Sequence, residues 1–293
     1  MANLKEIRNR IVSVSSTMQI TSAMKMVSAA KLKRAQDAIT QMRPYAEKLQ
    51  DILTNLSASL DTSENEYAKE REVKNVLLIP VTSNRGLCGG FNNYINKKAL
   101  DLCNNKYKDA NVTVMPIGKK AADTFKKTDF FGNSGAVMHD ASSIWENVNF
   151  NDSNTIADQV MTAYRNGDFD KVVFVYNHFK NVATQIVTEE QFLPILPPTV
   201  DESKTTSADY IFEPSKAEIV TELIPKSLKT QFYKVILESH AGEHGARMTA
   251  MHKATDNATE LNKALKLEYN QARQAAITNE ILEIVGGAEA LNG

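Results

Sequence analysis

The sequence predicts an α-rich α/β fold: a long antiparallel coiled coil of the N- and C-terminal helices, with an inserted Rossmann-like α/β domain. Three observations lead there. From Leu4 the apolar positions step through Ile7, Ile11, Val14, Met18 and Thr21, and the frame holds for about eight heptads, to Leu60. Near the other end, Ala246 to Leu291 runs without a proline, and its only glycines are Gly286 and Gly287. Met251, Ala254, Ala258, Leu261 and Leu265 make one narrow stripe on it, as wide as a coiled-coil seam. Between the two lies a stretch where short apolar strands alternate with amphipathic helices.

Taken in order, residues 1–60 read as the first coiled-coil helix. Its seam weakens at Thr21, Lys25 and Ser28 and recovers at Leu32, Ala35, Ile39 and Met42. A polar layer that sets register explains the patch, and so does a face that meets another protein. Pro44 is expected to bend or break the helix, because it removes a backbone donor and crowds the preceding turn. Asp61–Glu72 is polar and reads as a linker.

Residues 73–200 read as the α/β domain. Val73–Ser83 has the continuous apolar centre of a buried parallel strand. A glycine-containing turn, Asn84–Gly90, leads to a helix over about Phe91–Tyr107. Val112–Ile117 is a strand, Lys119–Lys127 a helix and Ala136–His139 a short strand. Ser153–Arg165 is a helix, and Lys171–His178 and Thr184–Thr188 are strands. Pro194, Pro197 and Pro198 close the domain. Asp201–Ala208 is a second connector and Tyr210–Glu213 a short strand.

Residues 209–293 form the last segment. Ser215 and Glu218 have capping-box spacing, and Pro225, Gly242 and Gly245 are points where the final helix can kink. About 70 helical residues give a rod on the order of 100 Å. Connectors this short require the two terminal helices to pair antiparallel.

Composition narrows the function. A hydrophobic share of 42% with 24% charged residues is that of an ordinary soluble protein. The net charge of −1 argues against nucleic acid as the main partner. Residues 1–48 nonetheless carry nine Lys and Arg against three acids, a local net of +6. No apolar run is long enough to span a bilayer, and Met1–Arg10 is too polar for a secretory signal. Cys88 and Cys103 form no CxxC and read as two reduced thiols.

Catalytic motifs are weak. The turn after the first strand is neither GxGxxG nor GxxxxGK[ST]. His240-Ala-Gly-Glu243-His244 matches HxxEH, with both imidazoles on one helix face, but a third ligand and a cleft are needed. One reading is therefore a zinc- or nucleotide-dependent enzyme dimerised by its helices, and another is a passive coiled-coil scaffold. The stronger reading is mechanical, with no catalytic, cofactor or metal residue.

Four ordered blocks carry a resemblance: Met1–Ala35 (MANLKEIRNRI…ITSAMKMVSAAKLKRA), Ser83–Asn92 (SNRGLCGGFN), Ala246–Ala258 (ARMTAMHKATDNA) and Tyr269–Ala290 (YNQARQAAITNEILEIVGGAEA). Through them the chain resembles the gamma subunits of F-type ATP synthases over essentially its full length. The resemblance implies a rotor shaft, not an enzyme. The coil stands in the bore of an alpha3beta3 catalytic hexamer, and the foot rests on the c-ring of the membrane sector beside epsilon. Proton flow turns the shaft and drives the beta subunits through their shapes. By the same match, Met24, Lys25, Arg247, Arg273, Gln274, Thr278 and Glu280 are expected to contact beta subunits, and Arg85 and Cys88 the foot's partners. Asn84 stands where the family usually carries Asp. The chloroplast-type insert with its cysteine pair is absent, so no thiol switch is expected. The expected location is the cytoplasmic face of a bacterial plasma membrane, without bilayer insertion.

Overall fold

A computed structural model describes residues 4–57, 66–69, 71–132, 135–138, 140–182, 184–195 and 216–292. Among the described residues, five helices and four strands follow in the order α1 (Leu4–Ser57), β1 (Asn75–Pro80), α2 (Phe91–Asp101), β2 (Asn111–Val114), α3 (Lys119–Phe125), α4 (Phe150–Asn166), β3 (Lys171–Phe179), β4 (Gln185–Leu193) and α5 (Lys216–Asn292). Short π and 3-10 turns cover Leu102–Lys106 and Ser142–Trp145. The chain divides into two compact units, Met1–Ser28 with Met248–Gly293, and Ala29–Arg247.

The first unit is an antiparallel helix pair. Its cross-links run in opposite senses along the two helices. Arg8 Nη2 donates to Tyr269 Oη at 2.8 Å, and Asn262 Nδ2 to the Ile11 carbonyl at 3.4 Å. Thr259 Oγ1 meets Met18 Sδ at 3.3 Å, and Thr255 Oγ1 donates to Thr21 Oγ1 at 2.8 Å. Ile7, Thr21, Ser28, Met251, Ala258, Asn262 and Leu265 are buried along this seam. The polar patch at Thr21 and Ser28 is thus inside the pair, where hydroxyls bonded across the seam or to the helix backbone fix register. The predicted stripe is displaced at one point: Leu261 is 45% exposed and Asn262 takes the seam. Past Tyr269 the apolar residues Ile277, Ile281, Leu282, Ile284 and Val285 are exposed.

The second unit is built on one mixed sheet with strand order β2-β1-β3-β4. β1 pairs parallel with β2 and β3, and β3 pairs antiparallel with β4. Successive residues of β1 face opposite sides, as the strand period demands. Leu77 and Ile79 join a core with α4 and the Ile224–Ile236 stretch of α5. Val76 and Leu78 join a core with α2 and α3 on the other side. Phe174, Phe192 and Phe232 meet at centroid distances of 5.0–5.8 Å and tie β3, β4 and α5 together. α4 starts at Asn149, whose side chain accepts from the Asp152 amide at 2.8 Å, and stops at Gly167 in the left-handed region, φ 86°.

Several expectations change. α1 continues through Pro44 and α5 through Pro225. Gly242 and Gly245 mark close approach to neighbouring elements. An added Cβ at Gly242 would stand 3.2 Å from the Phe91 ring, and one at Gly245 would stand 3.4 Å from the Val182 carbonyl. Ala136–Met138 is a turn and bend, not a strand; the short bridge beside β2 is made by Phe131. His139, the stretch Tyr210–Glu213, Ser215, Pro197 and Pro198 lie outside the described residues. Within the first connector, Tyr67 packs on the core, and its carbonyl accepts from the Ile195 amide at 2.8 Å.

Candidate functional site

Two regions of the chain concentrate functional side chains, one in each unit. In the second unit β1 runs out at Thr82 and Ser83, and the chain turns through Asn84–Gly90 before α2. Side chains of that turn hold it closed. The Ser83 amide donates to Asn92 Oδ1 at 2.9 Å, and Ser83 Oγ donates to the Arg85 carbonyl at 2.6 Å. Asn92 Nδ2 donates to Ser83 Oγ at 2.8 Å and to Cys88 Sγ at 3.2 Å. Asn84 donates to the Ser142 carbonyl at 2.9 Å and accepts from the Lys119 amide at 3.0 Å. At Gly118, where φ is 114°, a Cβ would stand 2.1 Å from the Thr82 carbonyl, so only glycine lets the β2–α3 connection come this near.

Arg247 latches the turn from α5. Its Nη2 donates to the Arg85 and Gly86 carbonyls, each at 3.1 Å, and its Nη1 to Glu243 Oε1 at 2.6 Å. Both side chains of this ion pair are buried. Burial pushes the Glu243 carboxyl up in spite of the arginine beside it. Arg247, expected from the sequence at a partner surface, has its guanidinium committed inside the chain. Cys88 is also buried, 2% exposed, and burial pushes its thiol up, so in this chain its side chain faces the turn's interior. What the turn presents outward is Arg85 and Leu87. Leu87 is 64% exposed and adopts φ 63°, an unusual conformation for a side chain of its size. Sequence reasoning named Glu243 only within HxxEH and missed it as the partner of Arg247, and it missed Asn92 and Leu87. The i,i+4 spacing of Glu243 and Arg247 was the available signal for the first.

The HxxEH histidines lie on the same stretch of α5. His240 Nε2 and His244 Nε2 are 3.1 Å apart, and Trp145 stacks on His240 with ring centroids 5.7 Å apart. Glu243, the general base of an HxxEH enzyme, points to Arg247. Among the described residues no three His, Cys, Asp or Glu side chains are grouped to hold a metal ion. The arrangement therefore does not assemble a zinc-protease centre. Two residues before His240, the Glu238 carboxylate meets His178 Nδ1 at 2.6 Å, a hydrogen-bond contact between α5 and β3.

In the first unit, the last turns of α5 present Arg273, Gln274, Thr278 and Glu280 to solvent. Thr278 Oγ1 bonds the Gln274 carbonyl at 2.9 Å, an ordinary backbone bond of a helical threonine. Around them stand Ala272, Ala275 and Ala276 and the exposed Ile277, Ile281 and Ile284. Met24 and Lys25 are half-buried on α1, beside the exposed Met26 and Val27. A row of exposed large apolar groups on two helices is a surface made to be covered.

Known proteins share this sequence and fold. A family model described as ATP synthase matches residues 3–291. The chain is 61% identical to the ATP synthase gamma chain of Flavobacterium johnsoniae over 294 residues, covering 100% of each. A chain in the central stalk/c-ring structure of the Tetrahymena thermophila mitochondrial ATP synthase aligns with a TM-score of 0.56 at 25% identity, over 80% of this chain and 99% of that one. A chain of the Euglena gracilis mitochondrial ATP synthase, from a structure titled OSCP/F1/c-ring, aligns with a TM-score of 0.65 at 20% identity, over 98% and 94%; that likeness is one of fold.

Proposed function

Because the chain belongs to the ATP synthase gamma-chain family, we propose that it is the central rotor shaft of the enzyme, coupling rotation of the c-ring to the conformational cycle of the beta subunits. The observation that carries this reading is the paired terminal helices with large apolar groups exposed past Tyr269. A lone helix twists easily. Two helices locked by a buried seam and by cross-links at Arg8–Tyr269 and Thr21–Thr255 pass torque from one end to the other. The tip beyond Tyr269 exposes small and apolar groups between its polar ones, and the apolar groups slide against a sleeve without strong directional bonds. The chain is a stalk subunit, and the bond chemistry of ATP belongs to the ring.

The contacts follow from the same geometry. Arg273, Gln274, Thr278 and Glu280, exposed among those apolar groups, grip beta-subunit loops at defined angles. Met24 and Lys25 serve the lower beta contacts, within a segment whose net charge of +6 suits acidic loops. Arg247 acts there through the turn it holds, and Arg85 and Leu87 are the groups that turn offers a partner. Cys88 supports them from within. Alpha3beta3, epsilon and the c-ring are the partners this reading requires. It places the chain peripherally at the cytoplasmic face of a bacterial plasma membrane. Among the described residues no helix is long and apolar enough to cross a membrane.

Reassembly with the catalytic ring tests the contacts. Joint replacement Arg273→Ala and Gln274→Ala is expected to weaken ring binding about fivefold or more, the mark of a hot spot worth over about 1 kcal/mol. Removal of residues 282–293 is expected to lower torque and assembly while the second unit keeps its near-UV signature. Unchanged ring affinity in the double variant would remove these residues from the contact set.

A further inference from the structure

The second unit carries an apolar groove that none of the contacts above uses. It lies between three helices and has a volume of about 410 Å³. α1 contributes Ala38, Met42 and Tyr45, a stripe at helical spacing. Phe150, in the first turn of α4, and Thr230 and Tyr233 of α5 form the other walls. The Phe150 and Tyr233 rings meet edge to face with centroids 5.4 Å apart, which fixes the shape of that wall. Thr230 turns its hydroxyl to the Lys226 carbonyl at 2.8 Å, so it adds no free donor to the groove. Tyr45 is 55% exposed and Phe150 42%, so large ring surfaces stand in water.

The rim of the groove is basic. Arg34, Lys48, Lys226 and Lys234 each stand one helical turn from a lining residue. Lys226 meets Glu222 at 3.3 Å in an exposed pair, and Asp37 of α1 is held by Lys33 at 2.8 Å. Among the described residues, Arg34, Lys48 and Lys234 enter no ion pair. An apolar trough between cations is complementary to an apolar stripe between carboxylates. We infer that the groove is the docking site of an acidic amphipathic helix from a partner subunit. Its apolar stripe lies against Met42, Tyr45, Phe150 and Tyr233, and its Asp and Glu side chains meet Arg34, Lys48 and Lys234. The dimensions suit a helix. Ala38 to Tyr45 covers about 10 Å, two helical turns, over which positions i, i+4 and i+7 of a second helix fall in one line. Walls this open would leave a small ligand largely in water, whereas small-molecule sites bury about 70–90% of what they hold. On the rotor reading, on which this step rests, the partner is a subunit of the same assembly.

Photo-cross-linking in cells tests the occupant. The full chain with Tyr45→p-benzoylphenylalanine is expected to give one major intermolecular cross-link. Mass spectrometry is expected to map it to a helix with Asp or Glu on both sides of an apolar stripe. Adding Arg34→Glu and Lys234→Glu to that chain is expected to cut the yield at least about fivefold, while the near-UV spectrum of the chain stays unchanged. In the purified assembly, about 1 M salt, where the screening length is about 3 Å, is expected to act in the same direction. A cross-link confined to this chain, one to lipid, one to a segment without acidic flanks, no cross-link, or a yield indifferent to the charge reversal would each overturn the assignment. An acidic helix of a protein outside the synthase would support the groove and count against the rotor reading instead. Hydrogen exchange on the unsubstituted chain is independent of variant folding. The α1 amides of residues 38–46 are expected to exchange at least about tenfold more slowly in the assembly than in the free chain, and equal rates would contradict docking.

Discussion

Replacing Arg247 by alanine is expected to destabilise the 29–247 unit by about 3–5 kcal/mol, the usual cost of removing one partner from a buried, hydrogen-bonded ion pair. For a unit of this size that lowers the melting temperature by roughly 6–20 °C. The substitution removes charge-assisted bonds to Glu243 and to the carbonyls of Arg85 and Gly86 at once. It leaves a buried carboxylate, 9% exposed, without its cation. Burial already pushes Glu243 upward, so without Arg247 its pKa rises further and the carboxyl takes up a proton as pH falls. The cost is therefore largest near neutral pH and shrinks in acid. Arg247→Lys is expected to fall between, because one ammonium cannot serve a carboxylate and two carbonyls with the fork of a guanidinium. Differential scanning calorimetry checks the stability, and hydrogen exchange checks the turn, whose Ser83 and Phe91 amides, bonded to Asn92 Oδ1 and the Cys88 carbonyl, are expected to lose protection. A change below about 1 kcal/mol would mean the latch is ornamental.

Stability is also expected to fall by on the order of 2–4 kcal/mol between pH 7 and pH 4.5 through His240 and His244 alone. The sign follows from their environment. Burial holds them down to about 4 and about 3, below the ordinary histidine value. The unfolded chain therefore binds protons that the folded one refuses. Their contribution is complete above about 6.5 and is lost as pH falls toward the folded values. Glu243 works the other way: its raised carboxyl binds protons more readily when folded, and it offsets part of the loss. His240 is partly open to water, so the figure stays below what two fully enclosed rings would give. Denaturant titrations at a series of pH values test this. The pair His240→Gln and His244→Gln is expected to flatten the slope over that range. An unchanged slope in the double variant would assign the acid sensitivity to other groups.

The coiled coil was legible because its physics is periodic. A heptad frame in α1 survives one weak layer, and the buried hydroxyls of Thr21 and Ser28 fill that layer. Where composition misled, a neighbour was more apolar than the residue that packs. Leu261 outranks Asn262 on any hydropathy scale, yet only Asn262 bonds the Ile11 carbonyl across the seam. Pro44 and Pro225 marked points where a helix could bend, kink or break, and both helices run on through them. In the sheet, β1 and β3 stood out as continuous apolar runs. β4, with its Glu189 and Glu190, was visible only in part because its partners, Lys106 and Gln231, are distant in sequence. The functional turn was legible as a glycine-containing loop after a strand. Its latch was not. Nothing in the spacing of Arg85 and Arg247 says that a guanidinium reaches back across 161 residues to the Gly86 carbonyl, and Cys88 gives no sign in sequence that its thiol faces inward.

The shaft reading is tested most directly by watching the chain turn. With the catalytic ring fixed to a surface and a probe attached to an exposed position of the foot domain, ATP hydrolysis is expected to drive continuous rotation of the probe in one sense, stalling when the terminal helices are cross-linked to the ring. A probe that stays still while the assembled ring hydrolyses ATP at full rate would contradict the account.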